Sequence, residues 1–330
     1  MPVSTMRLTI AVMAIAGITL AVTIPAQAAL ASPTPSPQAV NETATIPVGS
    51  FPIGAAADPA TNTVYIPNAG DGTVSVINGN TNVVTDTIPI GGLLLATTVD
   101  PLTDTVYVSG NGKVYAISGR TNTVTATIAV GSGLLPGIAA DALTDTVYVT
   151  TGASDSVAVI NGKTNTVQAT VAVGVHPFGV AVNAVTNTVY VANQGAQTVS
   201  VISGRTNAVT ATIPAGNNPT GIAVNPLTGA AYVANLGDGT MTVINGHNST
   251  VTATVTIGGT TPDVDVDPLT GTIYVTNQDT NTVAVISGQS DTVTTTVAVG
   301  DTPGAVAVMW QTGSVYVTNE QDDTVSVLSA

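Results

Sequence analysis

Seven of the chain's eight tyrosines stand in one register: Tyr65, Tyr107, Tyr148, Tyr190, Tyr232, Tyr274 and Tyr316, with Tyr115 alone outside it. The text around them repeats as well. Tyr-Val-Thr-Asn occurs at 274–277 and again at 316–319, 42 residues further on. From Ile46 the chain divides into seven units, beginning at Ile46, Ile88, Ile128, Val171, Ile213, Val255 and Val297, the first six of them 40 to 43 residues long. A repeat of this length is one supersecondary unit that cannot bury its own apolar face and has to stack on copies of itself.

The content of a unit decides which repeat it is. In the fourth, four short runs rich in β-branched residues (179–182, 188–192, 198–202 and 208–213) are separated by turn text made of Asn, Gly, Ser and Thr. Four antiparallel strands per unit make a propeller blade. No stretch after the leader keeps an apolar period near 3.6, and valine and threonine dominate, so helix is not expected. The seventh unit stops after its third strand at Ala330, while residues 38–45 stand alone before the first unit and resemble the fourth-strand text at 207–212. The N-terminal strand is thus expected to complete the last blade. That closes a seven-bladed, all-β ring and removes two strand edges that would otherwise invite aggregation.

Text such as NPLTGAAYVANLGDGTMTVINGHNSTVTAT at 225–254 resembles the YVTN-type β-propeller repeat family of secreted and surface-layer-associated proteins. The resemblance covers residues 38–330. It implies the propeller fold and a surface or binding role, and it brings no catalytic residues with it.

The first 28 residues differ from all that follows. Arg7 is their only charge, 8–22 is an apolar run, and Ala26-Gln27-Ala28 supplies a small-x-small cleavage pattern. This reads as a secretory signal peptide cut after Ala28. Cleavage after Ala31 and retention as a membrane anchor stay open as alternatives. Residues 29–37, with prolines at 33, 35 and 37, form an extended linker, and 38–330 form the propeller. The expected location is extracellular or at the cell surface. The chain has no cysteine, which excludes disulfides, thiolate-bound zinc and iron–sulfur clusters. Its formal charge of −14 repels nucleic acid. A protein or a cell-envelope component is the expected partner, with no membrane span after signal cleavage and a monomeric state.

Charge is sorted by end of the ring. The turns after second and fourth strands, with the adjoining strand ends, collect Asp71, Asp155, Asp238, Asp263, Asp265, Asp279, Asp301, Glu320, Asp322 and Asp323 against Lys113. Within this set Asp263-Val264-Asp265 is anomalous, because other blades hold Gly54 and Ala56, or Gly179 and Ala181, at those places on the innermost strand. Two carboxylates beside the channel repel unless a cation, water or a proton intervenes. Asp263 and Asp265 are therefore the candidate calcium ligands, with a hydrated channel wall as the alternative. No EF-hand loop accompanies them. Asp301, His176 and the turn asparagines Asn193, Asn235, Asn277 and Asn319 complete the candidate binding set, the asparagines having local turn hydrogen bonding as their other reading. Gly162-Lys163-Thr164 lacks the first glycine and the helix of a phosphate loop, and no G-x-S-x-G elbow is present.

The expectation is a binding or scaffold module without chemistry of its own. The alternative is a metal-assisted enzyme similar to lactonase or lyase propellers, with the metal near Asp263 and Asp265 and His176 as acid or base. An enzyme needs several unlike polar groups converging on one point.

Overall fold

The structure is a computed structural model that describes residues 40–329. The expected signal segment 1–28 and linker 29–37 lie outside the described residues. No helix among the described residues is long and apolar enough to cross a membrane.

The chain forms a seven-bladed β-propeller, four antiparallel strands to a blade. Blade 4 is representative: Pro177–Asn183, Thr188–Asn193, Thr198–Ser203 and Ala208–Pro214, paired in sequence order from the axis outward. In blade 2 one continuous strand, Thr105–Ser118, serves as both second and third strand. Its first half pairs with Leu94–Asp100 and its second half with Thr123–Leu134, and Gly112 takes a φ of +70° where the chain reverses. Ring closure follows the sequence reading: Asn41–Pro47 pairs antiparallel with Thr324–Ser329, Ile46 opposite Val325, as the outermost strand of blade 7.

Strand composition follows depth in the blade. Second and third strands are sandwiched between neighbouring sheets, so Val189, Tyr190 and Val191 are buried without an alternating exposed face. Fourth strands lie on the rim and are threonine-rich and exposed. Each buries one aliphatic side chain near its end: Ile46, Ile88, Ile128, Val171, Ile213, Val255 or Val297. These residues also open the seven sequence units.

The core is divided into seven clusters, one in each gap between blades, and each contains one register tyrosine. Tyr190, for example, packs with Val201 and Ile213 of its own blade and Ile222, Val233 and Ile244 of the next. Burial pushes the hydroxyls of Tyr65, Tyr107, Tyr148 and Tyr274 up to about 12, so they remain protonated donors. Their tips approach a turn of the next blade. A Cβ on Gly204 would lie 2.7 Å from the Tyr148 hydroxyl, and one on Gly119 3.1 Å from that of Tyr65. Tyr316 donates across the closure gap to Asn82 Oδ1 at 3.1 Å.

Candidate functional site

The innermost strands surround an axial channel whose lining is mostly apolar, on blades 6 and 7 as well, where Pro262, Val264, Val306 and Val308 join it. Blades 1 to 4 contribute apolar side chains, among them Phe51, Leu95, Leu134, Pro136 and Phe178. Blades 6 and 7 contribute the three titratable groups of the lining: Asp263, Asp265 and Glu320. Among the described residues no lysine, arginine or histidine lines it. The space has a volume of about 560 Å³, enough for a small organic group or a few residues of extended chain.

The two aspartates sit on the innermost strand of blade 6, Val264–Val266 and the residue before it, and both reach sideways into blade 7. Innermost strands have one edge without a pairing partner, so their outward amides need acceptors. Asp263 Oδ2 accepts from the Val306 amide at 3.0 Å, and Asp265 Oδ2 from the Val308 amide at 2.8 Å. Asp265 Oδ1 also accepts from Val266 N at 2.8 Å. Thr98 does the same for Ala140 between blades 2 and 3, at 3.3 Å. Sequence reasoning identified these carboxylates as unusual but not these acceptors, because the donors lie 43 residues away on another blade.

The bonds satisfy geometry without removing the electrostatic cost. Burial pushes Asp263 up to about 7, against the lowering effect of the Val306 and Val264 amides and with a further rise from Asp265. Burial likewise pushes Asp265 up to about 6, opposed by the Val308 and Val266 amides and reinforced by Asp267. Glu320, at the blade 7 mouth against Gly304, is pushed up to about 7 by burial alone. Near neutral pH the wall thus carries carboxyl groups that a cation would convert to carboxylates. Among the described residues no group of three or more His, Asp or Glu side chains is placed to hold a metal ion together.

The remaining candidates lie apart from the channel lining. His176 is an exposed turn residue at φ +50°, and its amide donates to Asp155 Oδ1 at 2.8 Å. Asp301 accepts from Asn281 Nδ2 at 3.1 Å, and its amide donates to Asp322 Oδ2 at 2.6 Å. Several acids of this end bind neighbouring loops in the same way: Asp71 accepts from Ser50 N, Asp238 from Asn217 N and Asp323 from Phe51 N, at 2.7 to 2.9 Å. The asparagines are buried within their own turns. Asn193 Nδ2 donates to Thr198 Oγ1 and Ser200 Oγ at 3.1 and 2.9 Å, and Asn235 and Asn319 repeat the arrangement with Thr240/Thr242 and Thr324/Ser326. Asn277 differs, donating to Gly258 O at 2.8 Å.

No protein-family model matches the chain, and no curated protein matches it either. Among solved structures it is similar to Kuenenia stuttgartiensis hydrazine synthase, with a TM-score of 0.76 at 16% identity over 85% of this chain and 96% of that one. At that identity the likeness concerns the propeller fold and nothing finer.

Proposed function

We propose that the protein is a secreted or cell-surface propeller that acts as a non-catalytic binding or scaffold module, receiving in its channel mouth a cationic, partly apolar segment of a protein or cell-envelope polymer. The observation that carries this reading is a mostly apolar lining in which Asp263, Asp265 and Glu320 are the titratable groups, with no positive side chain among the described residues that line it. An apolar body with an ammonium or guanidinium head matches both features. All three groups are acids, which favours attraction of a cation. The leader text of residues 1–28 and the resemblance to YVTN-type repeats support an extracytoplasmic setting.

The test is calorimetric titration with n-hexylammonium at pH 8 and pH 5 in low salt. Binding at pH 8 that weakens at least about tenfold at pH 5, where the carboxyl groups are protonated, supports the reading. Asp263→Asn/Asp265→Asn, which keeps an oxygen for the Val306 and Val308 amides, should lose most of the affinity. Equal binding by parent and variant, or none in the parent, would refute it. Calcium added to the same cell serves as a competitor, and displacement of the amine would transfer the site to a divalent cation.

A further inference from the structure

The end of the ring opposite the acidic mouth carries a pattern that packing does not require. The turn between first and second strands places Leu102, Leu143, Val185, Leu227 and Leu269 at one equivalent position in blades 2 to 6, each between 63% and 69% exposed. Ala60 and Gln311 occupy that position in blades 1 and 7, so the turn itself tolerates a small or polar residue. The backbone beneath is rigid. Buried Asp100, Asp141, Asn183, Asn225 and Asp267 accept from the amides of these five residues at 2.8 to 3.1 Å. Five aliphatic tips are thereby held in an arc around the channel's second mouth, with no described residue packed over them.

The charges beside the arc are ordered too. Arg120, Lys163 and Arg205 occupy equivalent, exposed positions in the outer turns of blades 2, 3 and 4, with His247 in the same place in blade 5. Most acids of this end are withdrawn: Asp58, Asp100, Asp141 and Asp267 are buried in turn hydrogen bonds, and Asp104, Asp145 and Asp291 are half-buried, while Asp86 is exposed and accepts from Asn122 Nδ2 at 2.9 Å in the turn that carries Arg120. Asp104 lies near Arg120 and Asp145 near Lys163. The acidic mouth is about 20 Å away along strands of six to seven residues, more than two Debye lengths at physiological salt. It therefore contributes little repulsion to whatever approaches the arc.

We infer that this end docks on a phospholipid bilayer surface, the aliphatic tips entering the headgroup layer while Arg120, Lys163 and Arg205 donate to headgroup phosphates. Rigid apolar tips flanked by basic side chains are the chemistry of interfacial binding. The arrangement is independent of the channel site and leaves the acidic mouth facing away from the membrane.

The test is co-sedimentation of the full chain with sucrose-loaded vesicles of phosphatidylcholine and phosphatidylglycerol, 3:1. Leu102→Ser/Leu143→Ser/Leu227→Ser and Arg120→Gln/Lys163→Gln/Arg205→Gln are compared with the parent. Residues 1–39 are common to all three proteins, so differences report on the arc. The aliphatic variant should partition at least about 100-fold more weakly, and the basic variant about tenfold more weakly, allowing for the nearby acids. Melting curves should coincide, because the altered residues are exposed. Partitioning unchanged in the aliphatic variant would overturn the inference. So would a concentration-dependent dimer of the parent that the aliphatic variant abolishes, since the arc would then be a self-interface.

Discussion

Each letter of Tyr-Val-Thr-Asn has a separate physical task. The tyrosine fills the gap between blades, and the valine is buried within the second strand. The threonine at this place ties its blade to the next in two blades, Thr276 Oγ1 donating to Gly304 O at 2.9 Å and Thr150 Oγ1 to Phe178 O at 2.7 Å, while Thr318 bonds within its own blade, accepting from the Ala305 amide at 2.9 Å. The asparagine holds the following turn. Tyrosine and valine were legible because burial on a repeated strand has a visible period. The threonine's partner and the glycine under the neighbouring tyrosine were not, since each belongs to the next blade and leaves no local mark. Asn193→Ala should cost about 1–3 kcal/mol, because Thr198, Ser200 and the Gly174 amide all lose a buried partner. Urea denaturation measures it, with Asn80→Ala, in an exposed turn, expected to change little. Gly204→Ala should be destabilising by about 1–3 kcal/mol, since its Cβ would run first into Asn187 Oδ1 and then into the Tyr148 hydroxyl, so Tyr148→Phe should relieve only the smaller part of that loss.

At the scale of the strand, the fourth strand of each blade contains a recurring irregularity. Its register against the third strand shifts by one residue, as between Val201 and Ile202, which face Ala211 and Val209 and leave Thr210 unpaired in a bulge. Threonine occupies this place in six blades, and its Oγ1 donates back to a third-strand carbonyl: Thr85 to Val76, Thr125 to Ala116, Thr210 to Val201, Thr252 to Val243, Thr294 to Val285 and Thr43 to Val327, at 2.9 to 3.3 Å. The strands were legible as β-branched runs between turn residues; the bulges were not, because an inserted threonine looks like any other β-former. Thr210→Val keeps the shape and removes the donor, so it should cost about 0.5–1 kcal/mol. Deleting Thr210 should also be tolerated, because it removes the unpaired residue and leaves Ile202 opposite Val209 and Val201 opposite Ala211, at the cost of the local twist and the hydroxyl bond. Chemical denaturation of the two variants side by side makes the comparison.

At the scale of the whole ring, the open question in the sequence was what balances Asp263 and Asp265. The strand text placed both on one face beside the channel, while the Val306 and Val308 amides and the contribution of Glu320 emerge only once blades 6 and 7 are juxtaposed. All three groups are raised in the folded state, to between about 6 and about 7, so the native protein binds more protons than the unfolded chain from about pH 4 upward. Stability from these groups is therefore greatest on the acid side of neutrality and falls as pH rises through 4 to 7. The melting temperature should decline across that window, and Asp263→Asn/Asp265→Asn should flatten the decline. Removing residues 1–47 should abolish cooperative melting near the parent temperature, since blade 7 would lose its outermost strand and Ile46 its place in the closure cluster. The decisive measurement on the channel is a carboxyl carbon NMR titration of Asp263, Asp265 and Glu320 with and without n-hexylammonium. Midpoints near 6 to 7 in the free protein that fall when the amine is bound are predicted, because a cation favours the charged form. Midpoints near 4, unmoved by the amine, would contradict a channel wall of raised carboxyl groups that receives a cation.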